Sequence, residues 1–165
     1  MVTPIPSTGR IEAVRHLYPV RVYFEDTDLS GVVYHANYLR WFERARSDLL
    51  RLLGIDQRRA HDAGEGVYAV TDAALRYLRP ARMEDVVIVE SRVEDIAAAS
   101  CAVSHRALRG DELLCEAQVR FAFVAPSGRP RRHPGKWVDA FRAFADGTFH
   151  TYSIATPEQQ GSVPA

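Results

Sequence analysis

The apolar positions of this chain keep two different periods. Between Tyr38 and Leu53 they fall at Tyr38, Trp41, Phe42, Ala45, Leu49, Leu52 and Leu53, the spacing of a helix with one buried face. Arg40, Glu43, Arg44, Ser47, Asp48 and Arg51 occupy much of the remaining helix surface. Asn37 suits the N-cap and Gly54 the C′ position, so the pattern predicts a helix about 25 Å long at ~1.5 Å per residue. Elsewhere the period is two. Tyr18 to Phe24 puts Val20, Val22 and Phe24 on one face and Arg21 and Tyr23 on the other, a half-buried first strand. Val67 to Leu78 reads as the next strand, broken by Arg79-Pro80-Ala81-Arg82. Val86-Val87-Ile88-Val89 opens another, with the character of a strand buried on both faces. Ser100 to Leu108 follows, and Arg109-Gly110-Asp111 turns the chain back into the last. There Leu113, Cys115, Ala117, Val119, Phe121 and Phe123 share one face, and Glu116, Gln118 and Arg120 the other.

A sheet with one apolar face must cover it, and the stripe of the long helix is the available partner. The expected architecture is α+β: an antiparallel sheet of about five strands wrapped around one long helix. Residues 18–146 form this single domain. Residues 1–17, with Pro4, Pro6 and Gly9, read as a loose lead-in, and residues 147–165 as a mobile polar tail. Ile55 to Glu65 reads as a short helical or irregular connection, and Trp137, Val138, Phe141 and Phe144 as a short amphipathic helix.

Composition narrows the picture. The chain has 165 residues, 47% of them hydrophobic, which suits one folded domain with a sizeable core. Its formal net charge is zero, which argues against a general nucleic-acid binder. No apolar run approaches the ~20 residues a membrane helix needs, and the N-terminus lacks the basic and apolar regions of a signal peptide. The expectation is a cytoplasmic protein without membrane insertion. A turn near Gly110 pairs Cys115 with about His105 and leaves Cys101 out of register, so both thiols are expected to be reduced.

Candidate chemistry gathers ahead of the long helix. Glu25-Asp26-Thr27-Asp28 carries three carboxylates, Gly31 follows, and Tyr34-His35 stands at the helix mouth. Two readings fit these residues. Asp26, Thr27 and Asp28 can shape an Asx-type turn. Equally, a carboxylate beside a helix N-terminus can attack a carbonyl or activate water while the free N–H groups hold the oxyanion. The other histidines lack ligand spacing, and His-Glu-x-x-His, Cys-x-x-Cys and Gly-x-Ser-x-Gly are all missing, so neither a metal nor an α/β-hydrolase site is predicted.

The run Tyr23-x-x-Asp26-Thr27-Asp28-x-x-Gly31-x-Val33-Tyr34-His35-x-x-Tyr38-Leu39, continuing into Glu43-Arg44-Ala45-Arg46, resembles the hot-dog-fold acyl-CoA thioesterases of the 4-hydroxybenzoyl-CoA thioesterase class. It is most similar to the branch associated with the Tol-Pal envelope system. Tyr77-x-x-Pro80-Ala81-Arg82-x-x-Asp85 and Gly128-Arg129-Pro130-Arg131 extend the resemblance, which covers roughly Pro19 to Phe144. It implies a hot-dog fold, hydrolysis of an acyl-CoA without a cofactor, and homodimers that pair into tetramers with active sites at subunit boundaries. It places the catalytic carboxylate at Asp28 and an oxyanion donor at the backbone N–H of His35.

The His35 side chain reads equally as a substrate contact or acid and as a structural hydrogen-bonding group. Glu43 is the alternative catalytic carboxylate, because a second hot-dog branch uses a helix acid. Its neighbours Arg44 and Arg46 favour an ion pair instead. Gly31, Tyr34 and Tyr38 are candidate substrate contacts, although aromatic residues at helical spacing also serve as core. Arg129, Arg131 and Arg132, with Lys136, form the densest basic cluster. They suit either the phosphates of coenzyme A or a solvated surface, and they lack the interleaved aromatics of an RNA platform. Two alternatives to a thioesterase remain at this point, a hot-dog hydroxyacyl-thioester dehydratase and a non-catalytic interaction subunit of an envelope complex.

Overall fold

The long helix forms as the apolar stripe requires, but it begins two residues before the Asn37 cap. Helix α1 runs His35–Leu52, with Tyr34 at the N-cap making no side-chain capping bond. Asn37 lies inside the helix and buried, because its side-chain amide donates to the Asp26 carbonyl at 2.8 Å. At the other end Gly54 takes φ +76° as expected, and the bonds Gly54 N–H to Arg51 and Ile55 N–H to Leu50 close a Schellman turn.

The computed structural model describes residues 6–150. Six strands surround α1: β1 (Arg10–Glu12), β2 (Arg15–Arg21), β3 (Val67–Tyr77), β4 (Val86–Ile96), β5 (Ser100–Arg109) and β6 (Glu112–Val124). Two shorter helices complete the fold, α2 (Gln57–Asp62) and α3 (Gly135–Ala145). All neighbours are antiparallel, in the order β1-β2-β4-β5-β6-β3. The segment after α1 therefore lands on the far edge of the sheet, and β4 returns to lie beside β2.

Several expectations need correction. Residues 10–17 are not loose. They form β1 and the start of β2, because Asp48 on α1 accepts hydrogen bonds from Thr8, Gly9 and His16. Gly9 fits only as glycine, since an added Cβ would meet the His16 ring nitrogen at 2.4 Å and the Leu17 carbonyl at 2.5 Å. The sheet accordingly has six strands. Phe24 leaves the buried face assigned to it and stands 81% exposed, because β2 ends at Arg21 and residues 24–26 coil into a 3-10 turn. β4 buries one face there: Val87 and Val89 are inside while Val86 is 49% exposed. In β6 the alternation slips at its start. Leu114 is fully buried because a bulge between Ala107 and Leu108 pairs Ala107 with Cys115. Both cysteines are free and buried, Cys115 opposite Ala107 and Cys101 opposite Phe121. Of the expected tail, Thr148 and Phe149 turn back onto the Ala143 carbonyl, and residues 151–165 lie outside the described residues.

The core has two apolar halves. One gathers Val20, Val22, Tyr38, Trp41, Phe42, Val87 and Val89. The other gathers Leu49, Leu50, Val103, Phe121, Phe141 and Phe144, the last two supplied by α3. Between them runs a buried polar belt. On β4 Ser91 separates Val89 from Val93, on β5 His105 separates Ala107 from Val103, and on α1 Arg46 and Asp48 separate Ala45 from Leu49. His16 lies opposite Ser91, which bonds His105 across the sheet at 2.8 Å.

Candidate active site

The chain between β2 and α1 is held by its own polar side chains. Asp26 accepts the Tyr23 N–H on its carboxylate at 2.8 Å, and its carbonyl accepts the Tyr34 N–H at 2.9 Å. Together with the Asn37 amide, that carbonyl ties the acidic loop to the first turn of α1. Asp26 thus takes the turn-shaping role. Thr27 forms an isolated bridge with Val33, whose N–H reaches the Ala81 carbonyl at 2.9 Å.

Asp28 stands at the tip of this loop and is exposed. Its Oδ1 accepts the Ser30 N–H at 2.8 Å and the Ser30 hydroxyl, while Oδ2 accepts nothing among the described residues. The Ser30 hydroxyl, then the Ser30 N–H, then the nearby His35 hold its carboxyl below the usual range. Asp28 is therefore ionised at neutral pH with one oxygen free. Gly31 turns the chain at φ +76°, with open space where a Cβ would stand, so backbone conformation and not close approach requires glycine.

The first N–H groups of α1, those of His35 and Ala36, donate to no acceptor among the described residues. They are the unsatisfied, positively polarised end of an 18-residue helix. The exposed His35 ring leans on Tyr34, with centroids 4.3 Å apart, and meets Tyr77 edge-on at 6.3 Å. Tyr38 is buried, as its helical position suggested, and its hydroxyl accepts the Ala81 N–H at 3.0 Å. Val33, His35, Tyr38, Tyr77, Leu78 and Pro80 line a cavity of about 290 Å³, with Arg79 at its side. Around Asp28 the surface is apolar: Phe24, Leu29 and Met83 are all exposed beside it.

Other candidates lie apart. Glu43 pairs with Arg46, and the two form part of the lining of a largely apolar groove of about 590 Å³ with Leu39, Phe42, Val70 and Val119. Arg129, Arg131 and Arg132 are exposed at the opposite end of the sheet. There Arg131 donates to the Glu65 carbonyl at 2.7 Å. Tyr77 pairs with Cys115 and Val67 with Val124, so roughly 30 Å of strand at ~3.3 Å per residue separates that cluster from the helix mouth. Within one chain the arginines do not meet Asp28. Two residues at the helix mouth escaped sequence reasoning, Asn37 as a loop anchor and Tyr77 as a cavity wall. Each acts through a contact far along the chain, and no local pattern carries that.

Among the described residues no cluster of three or more His, Cys, Asp or Glu could hold a metal ion, and no helix is long and apolar enough to cross a membrane. Comparison with known proteins agrees with the geometry. Residues 22–145 match the model of the thioesterase-like superfamily. The acyl-CoA thioesterase YbgC of Haemophilus influenzae is 39% identical over 65% of this chain and 79% of its own length. The acyl-CoA thioester hydrolase YbgC of Escherichia coli O6:H1 is 35% identical over 76% of this chain and 94% of its own. The crystal structure of a probable thioesterase from Bartonella henselae superposes with a TM-score of 0.69 at 35% identity, covering 73% of this chain and 99% of that one. With its antiparallel sheet wrapped on α1, the chain has the hot-dog fold and belongs to the thioesterase-like superfamily.

Proposed function

We propose that the protein is an acyl-CoA thioesterase, hydrolysing the thioester of an acyl-CoA to a carboxylic acid and free coenzyme A. The observation that carries this reading is Asp28, an ionised carboxylate whose Oδ2 has no partner among the described residues, on the loop that leads into a helix start where the His35 and Ala36 N–H groups likewise meet no acceptor among them. The thioester carbonyl sits at the mouth of α1, its oxygen toward the His35 N–H. Oδ2 of Asp28 either attacks the carbonyl carbon or takes a proton from the water that does. In the first case an acyl–aspartyl anhydride forms, coenzyme A leaves as the thiolate, and water then releases the acid. In the second, hydroxide adds directly and the tetrahedral oxyanion collapses with loss of the same thiolate. Both routes develop negative charge where the helix presents donors, and that differential stabilisation is what lowers the barrier. Gly31 shapes the loop, and Tyr34, Tyr38 and the His35 ring border the acyl group.

The arginine cluster enters this reading only through a second subunit. β3 is an edge strand of eleven residues with no second neighbour among the described residues, and Val70 and Tyr77 are each 49% exposed. Pairing two β3 edges antiparallel brings the Val67 end of one chain to the Tyr77 end of the other. Arg129, Arg131 and Arg132 of the second copy then approach the mouth, where guanidinium forks suit the phosphates of coenzyme A. The protein acts as a homodimer or a dimer of dimers, in the cytoplasm, without a cofactor.

A panel of acyl-CoA substrates with free thiol followed spectroscopically tests the reaction. Thiol release supports it, and an enoyl product without thiol would identify a dehydratase instead. Neutralising Arg131 and Arg132 together should raise KM several-fold for acyl-CoA. It should leave substrates carrying only the pantetheine arm unchanged. An equal loss on both substrates would remove the cluster from phosphate recognition.

A further inference from the structure

The cavity at the helix mouth is closed on one side by Tyr77, the last residue of β3. Its ring packs against Tyr38 at 5.7 Å and stands edge-on to His35 at 6.3 Å. Its hydroxyl donates to the His35 carbonyl at 3.0 Å, a contact between residues 42 apart in the chain. Burial raises the Tyr77 pKa above its ordinary value near 10, so the hydroxyl keeps its proton at neutral pH and remains a donor.

That carbonyl is one half of a peptide group whose other half is the N–H of Ala36. A hydrogen bond accepted on the oxygen of an amide draws charge from its nitrogen and makes the N–H a stronger donor, the cooperative effect of linked hydrogen bonds. The Ala36 N–H has no partner among the described residues. It lies in the first turn beside the equally free N–H of His35, so both donors face the region outside the helix start.

We propose that Tyr77 is a positioning residue of the hydrolytic site, holding and polarising the His35–Ala36 peptide so that the Ala36 N–H serves as a second oxyanion donor beside that of His35. The proposal rests on the thioesterase reading and extends it to a residue on the opposite edge of the sheet. The bond matters most when the thioester oxygen carries full negative charge, because the gain from a more polar donor grows with the charge it meets. It matters little in the ground state, where the carbonyl oxygen carries only a partial charge. Tyr77 also sets the plane of this peptide, since the bond ties it to the end of β3 as well as to the helix.

The test is Tyr77→Phe, which keeps the ring and the cavity wall and removes only the hydroxyl. Loss of one neutral hydrogen bond to the donor peptide should lower kcat about 3- to 10-fold. KM, and Kd for a non-hydrolysable thioether analogue of the substrate, should stay within about twofold. In nitrogen-15 spectra the Ala36 amide proton should move upfield as its peptide loses polarisation. An unchanged kcat, a loss spread equally over kcat and analogue binding, or an unmoved Ala36 resonance would each overturn the proposal. Wild-type protein that releases no thiol from any acyl-CoA would sink the thioesterase reading on its own. The Ala36 resonance would still report whether Tyr77 holds that peptide.

Discussion

Two aspartates at the two ends of α1 meet opposite fates. Asp48, near its C-terminal end, is buried and fully engaged. Oδ1 accepts the Thr8 hydroxyl at 2.9 Å and the Arg51 guanidinium at 2.7 Å, and Oδ2 accepts the Gly9 N–H and the His16 ring nitrogen, each at 2.8 Å. Asp28, ahead of the N-terminal end, is exposed, and among the described residues Ser30 alone donates to its carboxylate. Both carboxyls are held below their usual range, yet the state of the oxygens differs. A carboxylate whose lone pairs are all engaged has nothing left to offer a substrate, and its strength goes into fastening chain to chain. A carboxylate with a free oxygen, next to unsatisfied N–H groups, is arranged for something that arrives. The number of donors already spent distinguishes the two better than the direction of either pKa.

The largest effect should come from the saturated partner. Asp48→Ala leaves the His16 nitrogen, the Gly9 N–H and the Thr8 hydroxyl without an acceptor beneath the helix. Removing one charged acceptor from four hydrogen bonds, with buried donors left unsatisfied, costs on the order of 3–5 kcal/mol. The loss should appear as a lowered midpoint in urea and as early proteolysis of residues 8–12, whose attachment to α1 runs through this carboxylate. The folded fraction should keep the wild-type kcat. A stable Asp48→Ala protein with crippled turnover would reverse the comparison.

Asp28→Asn should act the other way round. Asn keeps the size and the bond from Ser30 but cannot serve as base or comparable nucleophile. kcat should fall at least ~10²-fold, close to 3 kcal/mol of transition-state stabilisation, with little change in unfolding midpoint or substrate affinity. Asp26→Asn is the control. Its carboxylate caps the Tyr23 N–H, so its effect belongs in stability and not in turnover. Glu43→Gln should leave turnover intact, because that carboxylate is committed to Arg46. If Glu43→Gln abolishes activity while Asp28→Asn retains it, the chemistry belongs on the helix.

These contrasts also mark what the sequence made legible. α1 was visible because seven apolar positions at helical spacing and a terminal glycine agree, and both signals are local. The acidic turn and Gly31 were visible for the same reason, and the resemblance they carry pointed to Asp28. What stayed hidden depends on contacts distant in sequence. β1 is three residues long, and the residues just before it, Thr8 and Gly9, are held by Asp48 from 40 and 39 residues away, so no periodicity announces it. Asn37 was misplaced as a cap because its amide reaches back 11 residues to Asp26. The placement of β3 beside β6 left no trace in the pattern of β3 itself. The register of Cys115 differs by two residues from the expectation, one because the turn is centred between Gly110 and Asp111 and one because of the bulge between Ala107 and Leu108.

Acid should separate the two ends of α1 once more, with the smallest of the effects considered. Above pH ~7 the belt between the core halves holds two neutral histidines. Burial lowers the pKa of His16 against the opposing pull of Asp48, while Arg51 adds to the lowering. Burial, then Arg46 and His16, push His105 down to about 3. Around His105 stand Ser91 on β4, Arg46 and the stacked Phe42 on α1, and Ala117 on β6. None of these offers a negative charge to an imidazolium. The unfolded chain takes up these protons near pH 6.5, and the folded chain resists. Stability is therefore full above about pH 6.5 and falls as pH drops below it. For His105 the fall levels off only near its folded value of about 3. One such histidine costs about 2 kcal/mol by pH 5, and His16 adds to it. Asp28 has the opposite sign: its depressed pKa keeps the carboxylate charged between pH 6.5 and 5. Activity lost between pH 6.5 and 5 should thus follow unfolding measured by circular dichroism, and kcat of the protein still folded should stay level. A kcat that titrates near pH 6 while the fold is intact would place a further ionising group in the chemistry beside Asp28.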